Sequence, residues 1–369
     1  MSQTIIEKLL NGAEVEWKPL GEIVKIADNA RRPIKAELRK AGATPYYGAN
    51  NIQDYVQGYT HEGEYVLVAE DGSKSLVDYS VQWACGCFWA NNHVHVIQGN
   101  DKVNNRFLFY VLKNMNFLAF LSGGTRAKLT KAKLVNIPIP IPPVSVQQEI
   151  VRILDAFTAH TAELTVELTA ELNERKKQYN YYLNKLLTFS DDEVEWKTVE
   201  EIITTVTPPL KIPRGKYNLS GNIPIVDQGE NFIAGYTDNA DAALPANEYI
   251  IFGDHTEYIK YVDFSFAQGA DGLKILKPNR DLAKYVYYAF LNFYNKTGNY
   301  KRHWTDAKKI LLPIVSIKAQ KRIVSILDKF DALTTSISEG LPREIELRNK
   351  QYEYYRDQLL NFSKPDLEN

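Results

Sequence analysis

Residues 168–189 read LTAELNERKKQYNYYLNKLLTF, and residues 341–362 read LPREIELRNKQYEYYRDQLLNF. At a constant offset of 173 positions, 11 of these 22 are identical. Just upstream, IVRILDAFTA from Ile150 matches IVSILDKFDA from Ile323 at 7 of 10 positions. The pentapeptide EVEWK occurs at 14–18 and again at 193–197. The first residues, IIEKLLNGAEVEWK, resemble LNKLLTFSDDEVEWK around Leu186, so the chain starts where a repeat unit is expected to end. Such a repeat predicts approximate two-fold symmetry within one chain, and with it two equivalent faces or a two-part target.

Working outward, the stretch from Val144 to Phe189 reads as helix. Ile150, Leu154, Phe157, Thr161, Leu164 and Leu168 step by four and three alternately, a period near 3.5. Ile323, Leu327, Phe330, Thr334, Ile337 and Leu341 repeat those steps. Prolines in PIPPVS stand where a helix can begin but not continue. Some forty residues of helix make a rod of roughly 60 Å. Gly340 and Pro342 are expected to interrupt or kink the second rod. Matching seams predict antiparallel packing as a coiled coil; the alternative is a helical hairpin folded back on each domain.

The remaining segments read as mixed α/β. Runs such as EYVLVAE, DYSVQWACGCFWA and HVHVI in the first half, and EYIIF and YIKYVDFSFA in the second, predict strands between Gly- and Asn-containing turns. Each half adds one amphipathic helix, at 104–116 and 283–295, and a GYT tripeptide, at 58–60 and 235–237. The expected organisation is α+β, with two similar mixed α/β domains joined by two long antiparallel helices. Its parts are an N-terminal segment 1–22 closing the circular repeat, a domain 23–143, a helix 144–189, a domain 190–313, a helix 314–362 and a tail 363–369.

At 369 residues, two cores are expected rather than one. No window approaches 18 uninterrupted apolar residues and MSQTIIEKLL does not read as a signal peptide, so the expected location is cytoplasmic. Cys85 and Cys87 read as an ordinary buried pair of thiols; a zinc site would need His93 and His95 as well. The formal net charge is only −1, but charge is segregated by segment. RRPIKAELRK at 31–40 carries five basic residues against Glu37, and 122–139 carries Arg126, Lys128, Lys131 and Lys133 with no acid. Segment 299–309 is basic in the same way, while Glu163, Glu167, Glu171 and Glu174 lie on the helix. That is the pattern expected when particular loops meet phosphates.

Catalytic signatures do not emerge. No GxxxxGK[ST] loop, no GxGxxG and no amino-methyltransferase tetrapeptide occurs, TPPL at 207–210 lacking both required ends. EWK, at the entry of both domains, reads as structural rather than as half of a nuclease motif, and no catalytic residue is assigned. The inventory is instead that of base and phosphate recognition. In the first domain it comprises Arg31, Arg32, Lys35, Tyr47, Asn50, Asn51, Ser73, Lys74, Thr125, Arg126 and Lys128. In the second it comprises Lys211, Arg214, Lys216, Tyr217, Lys301, Arg302, His303 and Trp304. Lys177, Gln178, Tyr179, Tyr181 and Tyr182, with Lys350, Gln351, Tyr352, Tyr354 and Tyr355, cover more than one helix face and read as a partner-binding surface.

IPIPIPPVSVQQEIVRILDAF at 137–157, ILLPIVSIKAQKRIVSILDKF at 310–330, the GYT turns and both KQYxYY…LL helix ends resemble the specificity subunit of type I restriction-modification enzymes. The second copy departs from the proline-rich pattern at LLPIVSIKAQKR, so the two helix starts need not be equivalent. The resemblance implies two target-recognition domains reading a bipartite double-stranded DNA sequence, on a non-catalytic subunit with an antiparallel helical spacer. It also implies two adenine methyltransferase subunits and ATP-dependent motor-nuclease subunits as partners. S-adenosylmethionine, ATP and Mg would then belong to those partners, with no cofactor and no metal in this chain. The competing reading is a coiled-coil scaffold protein that does not bind DNA.

Overall fold

The computed structural model describes residues 4–123, 127–190, 192–334 and 340–363. Two compact units emerge, the first assembled from two separate stretches of the chain and the second from one. Unit 1 takes the chain up to Val166 together with the residues from Glu346 onward; unit 2 is Glu167–Ile345. Each therefore holds one mixed α/β domain, part of the long helix Val144–Leu187, and part or all of a helix from the second repeat.

The first spacer helix is continuous over 44 residues, Val144–Leu187. The second is divided into Ile317–Thr334 and Leu341–Leu360. Gly340 stands at φ +88°, a left-handed backbone that favours glycine. Pro342 follows in the first turn of the next helix, where its missing N–H costs nothing. The expectation of an interruption there matches what is seen.

In unit 1, Phe157 stacks on Tyr355, and the hydroxyls of Thr158 and Tyr352 lie 3.3 Å apart. Rising numbers on one helix meet falling numbers on the other, so this pair runs antiparallel. In unit 2, Tyr182 stacks on Phe330, as the same pairing with the repeats exchanged. Tyr179 has Asp331 as a charged neighbour, where Tyr352 has Thr158.

The joint between each domain and its helix is also built twice. Gln147 and Gln320 are both 0% exposed. Gln147 accepts from the Asn104 N–H at 2.8 Å and donates to the Pro142 carbonyl at 2.8 Å; Gln320 accepts from the Leu282 N–H at 3.0 Å and donates to the Val315 carbonyl at 3.0 Å. Each amide thus satisfies a backbone N–H at the start of the domain's amphipathic helix, Asn105–Lys113 or Ala283–Phe293. One turn further on, Tyr110 donates to Asp155 at 2.5 Å and Tyr288 to Asp328 at 2.7 Å. Burial and the Asp155 carboxylate push the Tyr110 hydroxyl up to about 12.

EVEWK has its structural role here. Strand Glu16–Pro19 pairs with Pro138–Ile141, and Glu195–Thr198 with Leu311–Ile314, clipping each domain entry to the strand before its helix. Residues from both ends of the chain complete unit 1: Ile6, Leu359 and Phe362 share its core, and the Trp17 indole N–H donates to the Ser363 carbonyl.

The domains themselves differ more. Unit 1 has one six-stranded sheet, in the order Val24–Ile26, Val94–Gly99, His61–Ala69, Val81–Ala90, Ala41–Gly48, Asn51–Val56. Unit 2 has two four-stranded sheets instead. Where Val81–Ala90 is one strand in unit 1, unit 2 has Ile259–Val262 in one sheet and Phe266–Gln268 in the other. In both units the later part of this element pairs in parallel, Tyr47 with Ala90 and Val226 with Gln268. Cys85 and Cys87 are exposed, which corrects the expected buried pair: Gly86 between them at φ +77° interrupts the regular alternation of the strand. Among the described residues no cluster of His, Cys, Asp and Glu suits a metal ion, and no helix is long and apolar enough to cross a membrane.

Candidate nucleic-acid interface

In each unit a side-chain amide draws neighbouring loops together. In unit 1 the Gln82 amide donates to the Gly48 and Ala49 carbonyls, although Ala90, at the far end of the same strand, pairs with Tyr47. Asn50 then ties two loops together, donating to the Gly72 carbonyl at 2.7 Å and accepting from the Lys74 N–H at 2.8 Å. Unit 2 uses Gln228 in the same way. Its amide donates to the Asp271 carbonyl at 3.1 Å and accepts from the His255 N–H at 3.2 Å, while Thr256 donates to its backbone carbonyl. Beneath that loop the buried Lys260 ammonium donates to the Asp227 and Asn231 carbonyls at 2.9 and 2.6 Å.

The cations of the basic segments divide into two sets. Arg31 is committed to the fold, reaching Glu70 at 2.8 Å and the carbonyls of Asp28 and Val94. Lys128 pairs with the same Glu70 at 2.8 Å. Burial opposes ionisation of Glu70, but Lys128 and Arg31 outweigh it and hold its pKa low. Lys211 pairs with Asp271 at 2.6 Å and Lys301 with Asp306 at 3.1 Å, both at exposed positions. Arg32, Lys35, Lys74, Arg214, Lys216 and Arg302 are exposed, with no side-chain hydrogen bond or ion pair among the described residues. Lys40, Lys131 and Lys309 are exposed in the same way, and these cations are free to meet anions. Asn51 is exposed in the turn beside Asn50, at φ +105°. Thr125 and Arg126 lie outside the described residues.

Several expected contact residues are framework instead. Tyr47 is buried edge-on against Phe88, in a stretch of the strand buried on both faces from Tyr46 to Gly48. Ser73 is spent inside its own loop, donating to the Ser75 carbonyl and accepting from the Ser80 N–H. Tyr217 is half-buried and its hydroxyl accepts from the Ala270 N–H at 2.8 Å. His303 is 1% exposed, between Glu257 and the Asn299 carbonyl. Trp304 packs on Phe252. Glu70-Asp71 and Asp254-His255, which stand at strand ends, are likewise absorbed: Asp254 accepts from the Trp304 N–H at 2.8 Å, and Asp71 pairs with His93.

Sequence reasoning missed Glu257 and Tyr300. Burial of the Glu257 carboxyl opposes ionisation. The Thr297 N–H, the Tyr294 hydroxyl, the Gly298 N–H and the His303 ring outweigh it and hold its pKa at about 2. This buried anion fixes the loop from Tyr294 to His303. At the tip of that loop Tyr300 is 88% exposed. No spacing signals either role, since both depend on a loop closing over a distant strand end.

On the helices, the tyrosine triplets sort identically. Tyr182 and Tyr355 stack within their units, Tyr182 remaining 38% exposed, and Tyr179 is half-buried, its pKa raised by desolvation. Tyr181 and Tyr354 are exposed, at 58% and 59%. Lys177 pairs with Glu174, and Lys350 with Glu346. Arg175 reaches Gln178 at 3.0 Å and Arg348 reaches Gln351 at 3.3 Å. Exposed Lys, Gln and Tyr therefore form the same patch on both copies, whereas Tyr179, Tyr182, Tyr352 and Tyr355 are occupied within the chain.

Two pseudo-equivalent α+β domains on helices from an internal repeat define a class of DNA-specificity subunit, and solved structures share the fold. The S subunit of a type I restriction-modification system from M. genitalium matches with a TM-score of 0.56 at 16% identity, over 96% of this chain and 98% of its own. A chain from a structure titled as the basis of complex assembly and conformational transition of the type I R-M system matches with a TM-score of 0.59 at 14% identity, over 94% and 97%. The type I restriction modification DNA specificity domain matches twice, at residues 13–174 and 192–347. A Haemophilus influenzae chain named as a type I restriction enzyme specificity subunit is 48% identical over 98% of this chain and 99% of its own. The EcoR124I/EcoR124II specificity subunit of Escherichia coli is 36% identical over 98% of each. This chain belongs to the family of type I restriction-modification specificity subunits.

Proposed function

We propose that the two domains, at 23–143 and 190–313, each read one half of a bipartite double-stranded DNA target, and that the chain itself carries no catalysis. The observation that carries this reading is the contrast within the repeat. Helix joints recur in their chemistry and the exposed helix faces keep Lys, Gln and Tyr at matching positions, while the loops bearing Arg32, Lys35, Asn50, Asn51 and Lys74 differ from those bearing Lys211, Arg214, Lys216, Lys301 and Arg302. Equal faces suit two copies of one partner, and unequal loops suit two different half-sites.

The patches of Lys177, Gln178 and Tyr181 and of Lys350, Gln351 and Tyr354 would each take one adenine methyltransferase subunit. Exposed tyrosine suits the core of an interface, and the Lys and Gln beside it suit its polar rim. Restriction and translocase subunits would join this complex in the cytoplasm, with S-adenosylmethionine, ATP and Mg held by those partners. Their relatives' names support assembly in general terms.

Methylome sequencing of cells expressing this chain with its methyltransferase is the direct test, with a bipartite adenine-methylated motif as the expected result. An insertion of four residues into 161–172 would lengthen the helix by about 6 Å. It is expected to change the gap while leaving both half-sites intact; altered half-sites at an unchanged gap would overturn the spacer role. Arg214→Ala and Arg302→Ala are expected to weaken DNA binding by the complex and flatten its salt dependence. No change in either would favour the scaffold reading.

A further inference from the structure

We propose that Tyr300 is a base-stacking residue of the second domain, presented on a rigid loop with His255 as its backing. The inference rests on the DNA-reading role above and goes beyond it, since neither residue belongs to the set expected from sequence.

The ring of Tyr300 stands in water on a cationic loop, with Lys301 and Arg302 immediately following and both exposed. It does not stand alone. The His255 imidazole lies against one of its faces, with ring centroids 5.1 Å apart and planes 18° from parallel. His255 is itself positioned, by Nδ1 at 3.1 Å from the Lys301 carbonyl and by its N–H on Gln228. One aromatic face is thus supported, and the other is open for a second stack.

The loop that carries this ring is held from beneath by groups that are costly to bury. Glu257, 2% exposed, takes the Thr297 and Gly298 N–H groups at 2.8 Å each and the Tyr294 hydroxyl at 2.7 Å. His303 lies 3.3 Å from the same carboxylate and 2.8 Å from the Asn299 carbonyl. Gly298 supplies the left-handed turn, at φ +71°. These hydrogen bonds to one buried carboxylate fix the tip of a loop whose outermost side chain is aromatic.

An open aromatic face flanked by cations matches nucleic acid better than protein. Phosphates pair with the cations while a base offers its π-face to the ring, a stack that tolerates any base. Tyr300 would therefore add affinity and open a base step in the half-site read by unit 2, without itself choosing the sequence. Its counterpart stretch in unit 1 includes residues 124–126, which lie outside the described ones.

The test uses the full chain assembled with its methyltransferase subunits, and duplexes carrying the methylated motif with 2-aminopurine placed in turn along the second half-site. Wild type is expected to change the 2-aminopurine emission at one position other than the adenine that the methyltransferase itself extrudes. Tyr300→Ala is expected to abolish that change and to weaken binding roughly fivefold to a hundredfold, the loss of one base–aromatic stack. Tyr300→Phe is expected to retain both. If Tyr300→Ala binds within twofold of wild type with the emission change intact, the stacking role is overturned and the DNA-reading role stands. A wild-type complex with no sequence-specific binding would overturn both.

Discussion

The joint around Gln147 and the joint around Gln320 are nearly superposable in chemistry, yet the loops a short distance away share almost nothing. Each joint has a buried amide bridging two backbone groups, a tyrosine hydroxyl on an aspartate and a cation on that aspartate. Arg106 reaches Asp155 at 2.8 Å, and Lys284 reaches Asp328 at 2.9 Å. At the loop ends, Arg31, Glu70 and Lys128 form the network of unit 1, while Glu257, His303 and Lys260 organise unit 2. The lesson is that the repeat is kept where the same helix packing recurs, and is lost in the loops.

The largest expected effect tests the sameness of the joints. Gln147→Ala and Gln320→Ala each orphan buried backbone groups, and each is expected to cost about 3 kcal/mol in urea unfolding. A difference between them of more than about 2 kcal/mol would break the equivalence. Arg31→Ala should follow at about 2 kcal/mol, because it leaves the Val94 carbonyl without its donor and Glu70 with Lys128 as its one cation among the described residues. Tyr110→Phe and Tyr288→Phe are each expected to cost about 1 kcal/mol, in line with one lost hydrogen bond.

Acid should separate the loops. Glu257 has a folded pKa of about 2 against an ordinary 4.5, so its contribution is full above pH 4.5 and is lost as pH falls from there toward 2. Lower protection of the Thr297 and Gly298 amides, relative to their intrinsic exchange rate at each pH, is the expected readout; unchanged protection would remove Glu257 as the loop's anchor. The smallest effect on stability belongs to Arg32→Ala, expected within about 0.5 kcal/mol of wild type. Its signature lies instead in DNA binding, as a salt slope shallower by about 1.

Much of the framework was legible in sequence because it follows from periodicity and identity. The 3.5-residue stepping from Ile150 marks the first helix, Gly340 and Pro342 mark the break in the second, and EVEWK marks both domain entries. The loop site was legible only in outline. Composition flags a basic segment such as 31–40, but it cannot tell Arg31, consumed by Glu70, from Arg32, which is free. His303 and Trp304 looked like contact residues for the same reason. Their burial depends on Asp254 and Glu257, some 50 residues earlier in the chain. Tyr300 carries no motif, and only its exposure beside His255 marks it.

The sharing of Ile6, Ile150, Leu359 and Phe362 within one core has a consequence for synthesis. Unit 2 is contiguous, but unit 1 lacks part of its core until residues beyond Glu346 have been made. At ~5–20 residues per second, translating Glu167–Ile345 occupies a ribosome for roughly 10–40 s. Throughout that interval, apolar side chains destined to meet Leu359 and Phe362 have no partner. The domain made first is thus the one finished last, and it is the half of the molecule most dependent on protection while the chain is still emerging.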